Sequence, residues 1–135
     1  SQACNSLGVP LRVTKTALPL DEYVSALASC RMLVSPNYQA STGGLSALEA
    51  YALGKPVLLS NSPLNGVVDY FGHGLPGVEY FQWDDRQDLE AKIRKVYDGP
   101  KPDAAESRRW VAETFNDRIM AKQLSDVFWG VCRAA

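Results

Sequence analysis

Residues 31–60 read RMLVSPNYQASTGGLSALEAYALGKPVLLS, and this stretch decides the fold. It opens on a compact apolar run, Arg31 to Ser35, which Pro36 ends. A polar loop follows from Asn37 to Thr42, then a helix of small residues from Gly43 to Leu53. Gly54 stands where a helix C-cap is wanted, and Pro56 bars continuation. Pro56 to Ser60 is a second apolar run. Two short apolar runs on either side of a helix read as parallel strands buried on both faces.

The same alternation extends in both directions. Upstream, Leu11 to Thr16 is a β-type run after the turn residues Gly8, Val9 and Pro10. Asp21 is placed to cap a helix that reaches about Ser29, with Tyr23, Val24 and Leu27 as its apolar stripe. Downstream, Asn65 to Phe71 reads as a short helix, and Gly72, Gly74, Pro76 and Gly77 make a turn-rich link. Val78 to Trp83 is a further strand. Asp84 or Asp85 caps the next helix, where Leu89, Ile93, Val96 and Tyr97 recur at i, i+4, i+7 and i+8. Asp98-Gly99-Pro100 ends it.

From about Asp103 to residue 133 the chain is helical. Trp110, Phe115, Ile119, Leu124, Val127, Phe128 and Val131 form its apolar face. A break falls between Thr114 and Asp117, with Asn116 capping the second piece. Pro100 to Asp103 is too short to divide domains, so residues 1–135 read as one unit. The order β-α-β-α implies a three-layer α/β/α fold around a parallel sheet.

Composition narrows the functional classes. The 135 residues are 46% apolar and 21% charged, with a net charge of −1. No basic stripe marks a nucleic-acid footprint. Arg108 and Arg109, the one clustered pair of cations, belong on the wet face of a helix. Cys4, Cys30 and Cys132 are odd in number and widely spaced, which argues against a disulfide framework or a zinc site. Cys30 reads as a small core residue. His73, the single histidine, reads as a loop residue without metal-ligand spacing. No apolar run approaches the roughly 18–20 residues of a membrane span, and no signal peptide is visible. A reducing, cytoplasmic setting is expected, with no metal and no cofactor.

Ligands of open parallel sheets bind beyond the carboxyl ends of the strands. Two loops qualify, Pro36 to Gly44 and Asn61 to Gly66. The first enters its helix through Ser41-Thr42-Gly43-Gly44-Leu45. Paired glycines let backbone N–H groups approach a ligand, and the helix start offers unpaired donors and a partial positive charge. Together these suit a phosphate. Glu49 stands alone among Leu45, Ala47, Leu48, Ala50, Ala52 and Leu53. It lies about 7 Å along the axis from Gly44, a spacing that suits sugar hydroxyls if the carboxylate turns inward. An exposed glutamate, or a salt bridge to Lys55, is the plainer alternative.

Ser41-Thr-Gly-Gly-Leu-Ser-Ala-Leu-Glu-Ala-Tyr-Ala-Leu-Gly-Lys-Pro-Val57 resembles the signature of the retaining GT-B glycosyltransferases of the sucrose-synthase and mannosyltransferase group. That signature runs acid-x-x-Gly-Leu-x-x-Leu-Glu-Ala-x-Ala-x-Gly-x-Pro-Val. Met32 to Pro36, the helix after Asp85 and the Phe115-Asn116 helix resemble the family more weakly. The resemblance implies a Rossmann-like donor-binding domain. Glu49 would accept hydrogen bonds from the donor's ribose hydroxyls. Gly43, Gly44 and Leu45 would give N–H groups to the diphosphate, and Ser41 and Thr42 would lie against the donor sugar. The cleft loop would bring Asn37, Asn61, Asn65 and Gly66 to the same place. No catalytic nucleophile is assigned.

The first acid of the signature is Ser41 here, which can hydrogen-bond but carries no charge. The family's opening strand, glycine-rich turn and Arg/Lys pair find no match before Ser1, and Arg12 and Lys15 sit in the wrong element. The expectation is therefore a partial donor domain of a larger hexosyltransferase. Alone it would bind nucleoside diphosphates weakly and transfer nothing. Its partners would be the nucleotide sugar and an amino-terminal acceptor domain, and the intact enzyme could sit at a membrane periphery. Phe128 and Trp129 at adjacent positions suggest self-association through the terminal helix. The alternative is a non-catalytic binding or regulatory module on the same fold. A dinucleotide enzyme ranks below both, because no G-x-G-x-x-G follows a strand.

Overall fold

A computed structural model describes residues 2–13, 17–36, 45–63, 66 and 70–134, with the backbone alone for 123 and 127–134. In order come α1 (Gln2–Leu7), α2 (Leu20–Ser29), β1 (Leu33–Ser35), α3 (Leu45–Ala52) and β2 (Val57–Ser60). Then follow β3 (Val78–Phe81), α4 (Arg86–Asp98), α5 (Ala104–Thr114) and α6 (Asp117–Ala134). The strands form one parallel sheet in the order β1-β2-β3. Val57 pairs with Leu33 on one side and Val78 on the other.

β2 is the centre of the molecule. Val57, Leu58 and Leu59 are each 0% exposed. Because side chains alternate along a strand, β2 feeds two cores. Val57 and Leu59 pack with Leu27 of α2, Ala47, Ala50 and Tyr51 of α3, and Trp110 of α5. Leu58 points the other way, to Ala3 and Cys4 of α1, Phe81 and Ile93. Helices therefore cover both faces, and the fold is Rossmann-like α/β. Each buried Val or Leu contributes about 1.5–3 kcal/mol, against about 0–1 kcal/mol for an exposed ion pair such as Lys122–Asp126. Apolar burial on β2 decides the architecture.

The helix ends obey local chemistry. Asp85 caps α4 by accepting from the Asp88 N–H at 3.0 Å. Asp103 caps α5 through the Glu106 N–H at 2.9 Å. Asn116 accepts from the Ile119 N–H at 2.8 Å, as its position before α6 implies. α3 closes in a Schellman arrangement: the Lys55 N–H donates to Ala50 O at 3.0 Å and the Gly54 N–H to Tyr51 O at 2.9 Å. Gly54 takes φ +70° there, and a Cβ on it would lie 2.7 Å from the Ala104 Cβ.

Several sequence expectations are corrected. Residues 11–13 form no strand; Leu11 is 44% and Val13 69% exposed, so the run has no core to enter, and 14–16 lie outside the described residues. α1 went unread because six residues are too few to show a period; docking makes it a helix. α2 starts at Leu20 after Pro19, with no side-chain cap, so Asp21 lies in its first turn rather than at its cap. In its stripe Leu27 is buried, but Val24 is 47% exposed. β3 stops at Phe81, short of Trp83, because the Gln82 N–H turns to the Asp88 carboxylate at 2.6 Å and Asp84 takes φ 67°. Cys30 is half-buried rather than a core residue. Leu124 of α6 is 72% exposed; its place on the apolar face leaves it uncovered among the described residues. The helix expected at 65–71 falls largely outside them, with Tyr70 and Phe71 helical.

Gly54→Ala is expected to lower stability by at least about 1–2 kcal/mol, the cost of a left-handed side-chain residue, with the crowding at Ala104 added. Urea unfolding of the two proteins checks this; an unchanged midpoint would count against the cap.

Candidate functional site

The parallel order places three strand ends, Ser35, Ser60 and Phe81, at one edge of the sheet. This is the edge at which doubly wound sheets hold ligands. α3 runs back from it, so its amino end and the positive end of its dipole lie there. The chain leaving β2 is anchored at its root. The Asn61 N–H donates to Phe81 O at 2.9 Å, and the Ser62 N–H to Ser60 Oγ at 3.2 Å. Ser60 and Ser62 are buried, whereas Asn61 is exposed.

Glu49 is not turned inward. Ala47, Ala50 and Tyr51, at i, i+3 and i+4, take the core face of α3 at 1%, 0% and 3% exposure. At about 100° per residue, position 49 falls opposite that face, and Glu49 is exposed. Leu45, one turn earlier on the same side, is also exposed. The salt bridge to Lys55 is not formed among the described residues. Instead the carboxylate is held from the neighbouring helix: the Tyr23 hydroxyl donates to Glu49 Oε2 at 2.5 Å.

Tyr23 rises from the first turns of α2 and packs its ring against the core that Leu27 and Tyr51 share. Burial of the ring, and then the hydrogen bond and charge of Glu49, push its phenol above 10.0; the Ser46 hydroxyl on the same oxygen opposes them. The proton therefore stays on the phenol through the neutral range. Sequence reading assigned Tyr23 to an apolar stripe and missed this role. Its one sequence signal is an aromatic with a polar tip near a helix start, which names no partner.

Of the expected donor-binding residues, Leu45 and Glu49 share the exposed side of α3. Asn61 and Gly66 follow β2, with Gly66 half-buried. Asn37, Ser41, Thr42, Gly43, Gly44 and Asn65 lie outside the described residues. Among the described residues no three His, Cys, Asp or Glu side chains gather as a metal site, and no helix is long and apolar enough to cross a membrane.

A cavity of about 300 Å³ opens elsewhere, between Tyr51, Pro76, Pro102 and Trp110. Leu75 and Pro76 precede β3 and Tyr51 lies in the last turn of α3, so this cavity lies at the amino edge of the sheet. The Tyr51 hydroxyl bridges it to Pro76 O at 3.1 Å. The strand ends and the dipole of α3 select the opposite edge, and the chemistry of a charged ligand follows them.

Comparison with known proteins gives one finding. The family model described as glycosyl transferases group 1 matches residues 14–115 of the 135. The match runs from ahead of α2 through α5 and leaves α1 and α6 outside. No curated protein and no solved structure matches the chain.

Folding favours the protonated phenol of Tyr23. Its contribution is present below pH 10.0 and is lost as pH rises through the higher native value. A spectrophotometric difference titration between the native chain and Tyr23→Phe is expected to show this phenol ionising above pH 10.0. Ionisation at or below that value would contradict the bond to Glu49.

Proposed function

From the premise that the chain belongs to the group 1 glycosyl transferases, we propose that it holds the nucleotide-sugar donor for a retaining transfer, as one domain of a larger hexosyltransferase. The observation that carries this reading is Glu49. It offers a solvent-open carboxylate in the second turn of α3, the helix that starts at the carboxyl edge of the sheet. An acceptor for ribose hydroxyls has to be open before the donor arrives. The sequence reading asks for an inward group and the exposed carboxylate departs from it; the bond from the Tyr23 hydroxyl is what sets Glu49 apart from an ordinary surface glutamate.

In this reading Glu49 accepts the ribose hydroxyls. The N–H groups of Gly43, Gly44 and Leu45 meet the diphosphate, and Ser41 and Thr42 lie against the sugar. Asn37, Asn61, Asn65 and Gly66 border the cleft. As the bond from sugar to diphosphate breaks, the anomeric carbon gains positive charge and the leaving group negative charge. The dipole of α3 stabilises the latter by about 0.3–1 kcal/mol. That is too little to drive the reaction, so cations such as the Arg/Lys pair of the family's opening segment are needed as well, with the acceptor held by another domain. The chain binds donor and leaves transfer to the assembled enzyme.

Calorimetry with UDP, GDP and ADP is expected to find binding of at least one. Glu49→Ala should weaken it by about ten- to a hundredfold, the range for a hydrogen bond to a charged group. Absence of binding by all three, or an unaltered affinity in the variant, would overturn the proposal.

A further inference from the structure

Tyr23 and Glu49 stand 26 residues apart on different helices and share a 2.5 Å hydrogen bond. We infer that Tyr23 is a positioning residue for the donor ribose: its phenol fixes Glu49 through Oε2 and leaves Oε1 facing the incoming hydroxyls. The inference rests on the ribose role of Glu49 given above and goes beyond it, because it assigns a function to a residue outside the motif of α3.

Three features support it. An exposed glutamate turns about three side-chain bonds, and ordering it costs about 1.5–2 kcal/mol. A partner that orders it before the donor binds removes that cost from the binding step. Tyr23 is suited to the task because its ring is wedged against the core and its backbone N–H donates to Pro19 O at 2.9 Å. Finally, a carboxylate has about four acceptor positions. One bond from Tyr23 leaves room for two ribose hydroxyls, and among the described residues no cation competes for them.

The test is calorimetry of UDP, GDP and ADP, each against its 2′,3′-dideoxy form, on the native chain, Tyr23→Phe and Glu49→Ala. The native chain is expected to prefer the ribose form, and Glu49→Ala to lose that preference. Tyr23→Phe should reduce the preference about five- to tenfold and leave the dideoxy affinity unchanged. Full preference in Tyr23→Phe beside its loss in Glu49→Ala would overturn the positioning role alone. Equal weakening of both forms in Tyr23→Phe, with a lowered thermal midpoint, would also overturn it in favour of a purely structural bond. Preference retained in Glu49→Ala, or absent in the native chain, would sink the ribose reading and this inference together.

Discussion

The structure depends on β2 being closed off from water on both faces. A central parallel strand cannot keep a wet side, because the helices that connect its neighbours must lie against it. Val57 and Leu59 take one layer and Leu58 the other. From that constraint follow the two cores, the docking of α1 beneath Leu58 and the packing of α3 and α5 above Val57. It also aligns the strand ends, since parallel strands in register finish at a common edge.

The candidate site is a by-product of the same constraint. α3 spends Ala47, Ala50 and Tyr51 on the core, and the helical period then leaves position 49 facing outward. A carboxylate placed there costs little, because it stays hydrated. What distinguishes it from an ordinary surface glutamate is the phenol supplied by α2. The cavity near Tyr51 and Trp110 lies between α5 and the loop before β3, away from the strand ends.

Much of this was legible in residues alone. The runs at 31–35 and 56–60 became β1 and β2, and Gly54 ends α3 in the left-handed turn that its position implies. Asp85 and Asn116 cap their helices through contacts three residues away, whereas the cap at Asp103 reads from sequence only as the start of a helical stretch. The errors cluster where a segment's fate depends on distant partners. Leu11 to Val13 looks like a strand and pairs with nothing among the described residues. Gln2 to Leu7 looks like nothing and becomes a helix against Leu58 and Ile93.

By itself the sequence determined the parallel α/β order, the ends of most helices and the motif from Ser41 to Val57 that places the chain with the glycosyl transferases. These are local matters, set by period, turn chemistry and spacing within a few residues. Only the tertiary structure decided which way Glu49 points and that Tyr23 holds it. Orientation around a helix depends on which face the sheet claims, and a contact across 26 residues exists only once two helices have packed on the same strand.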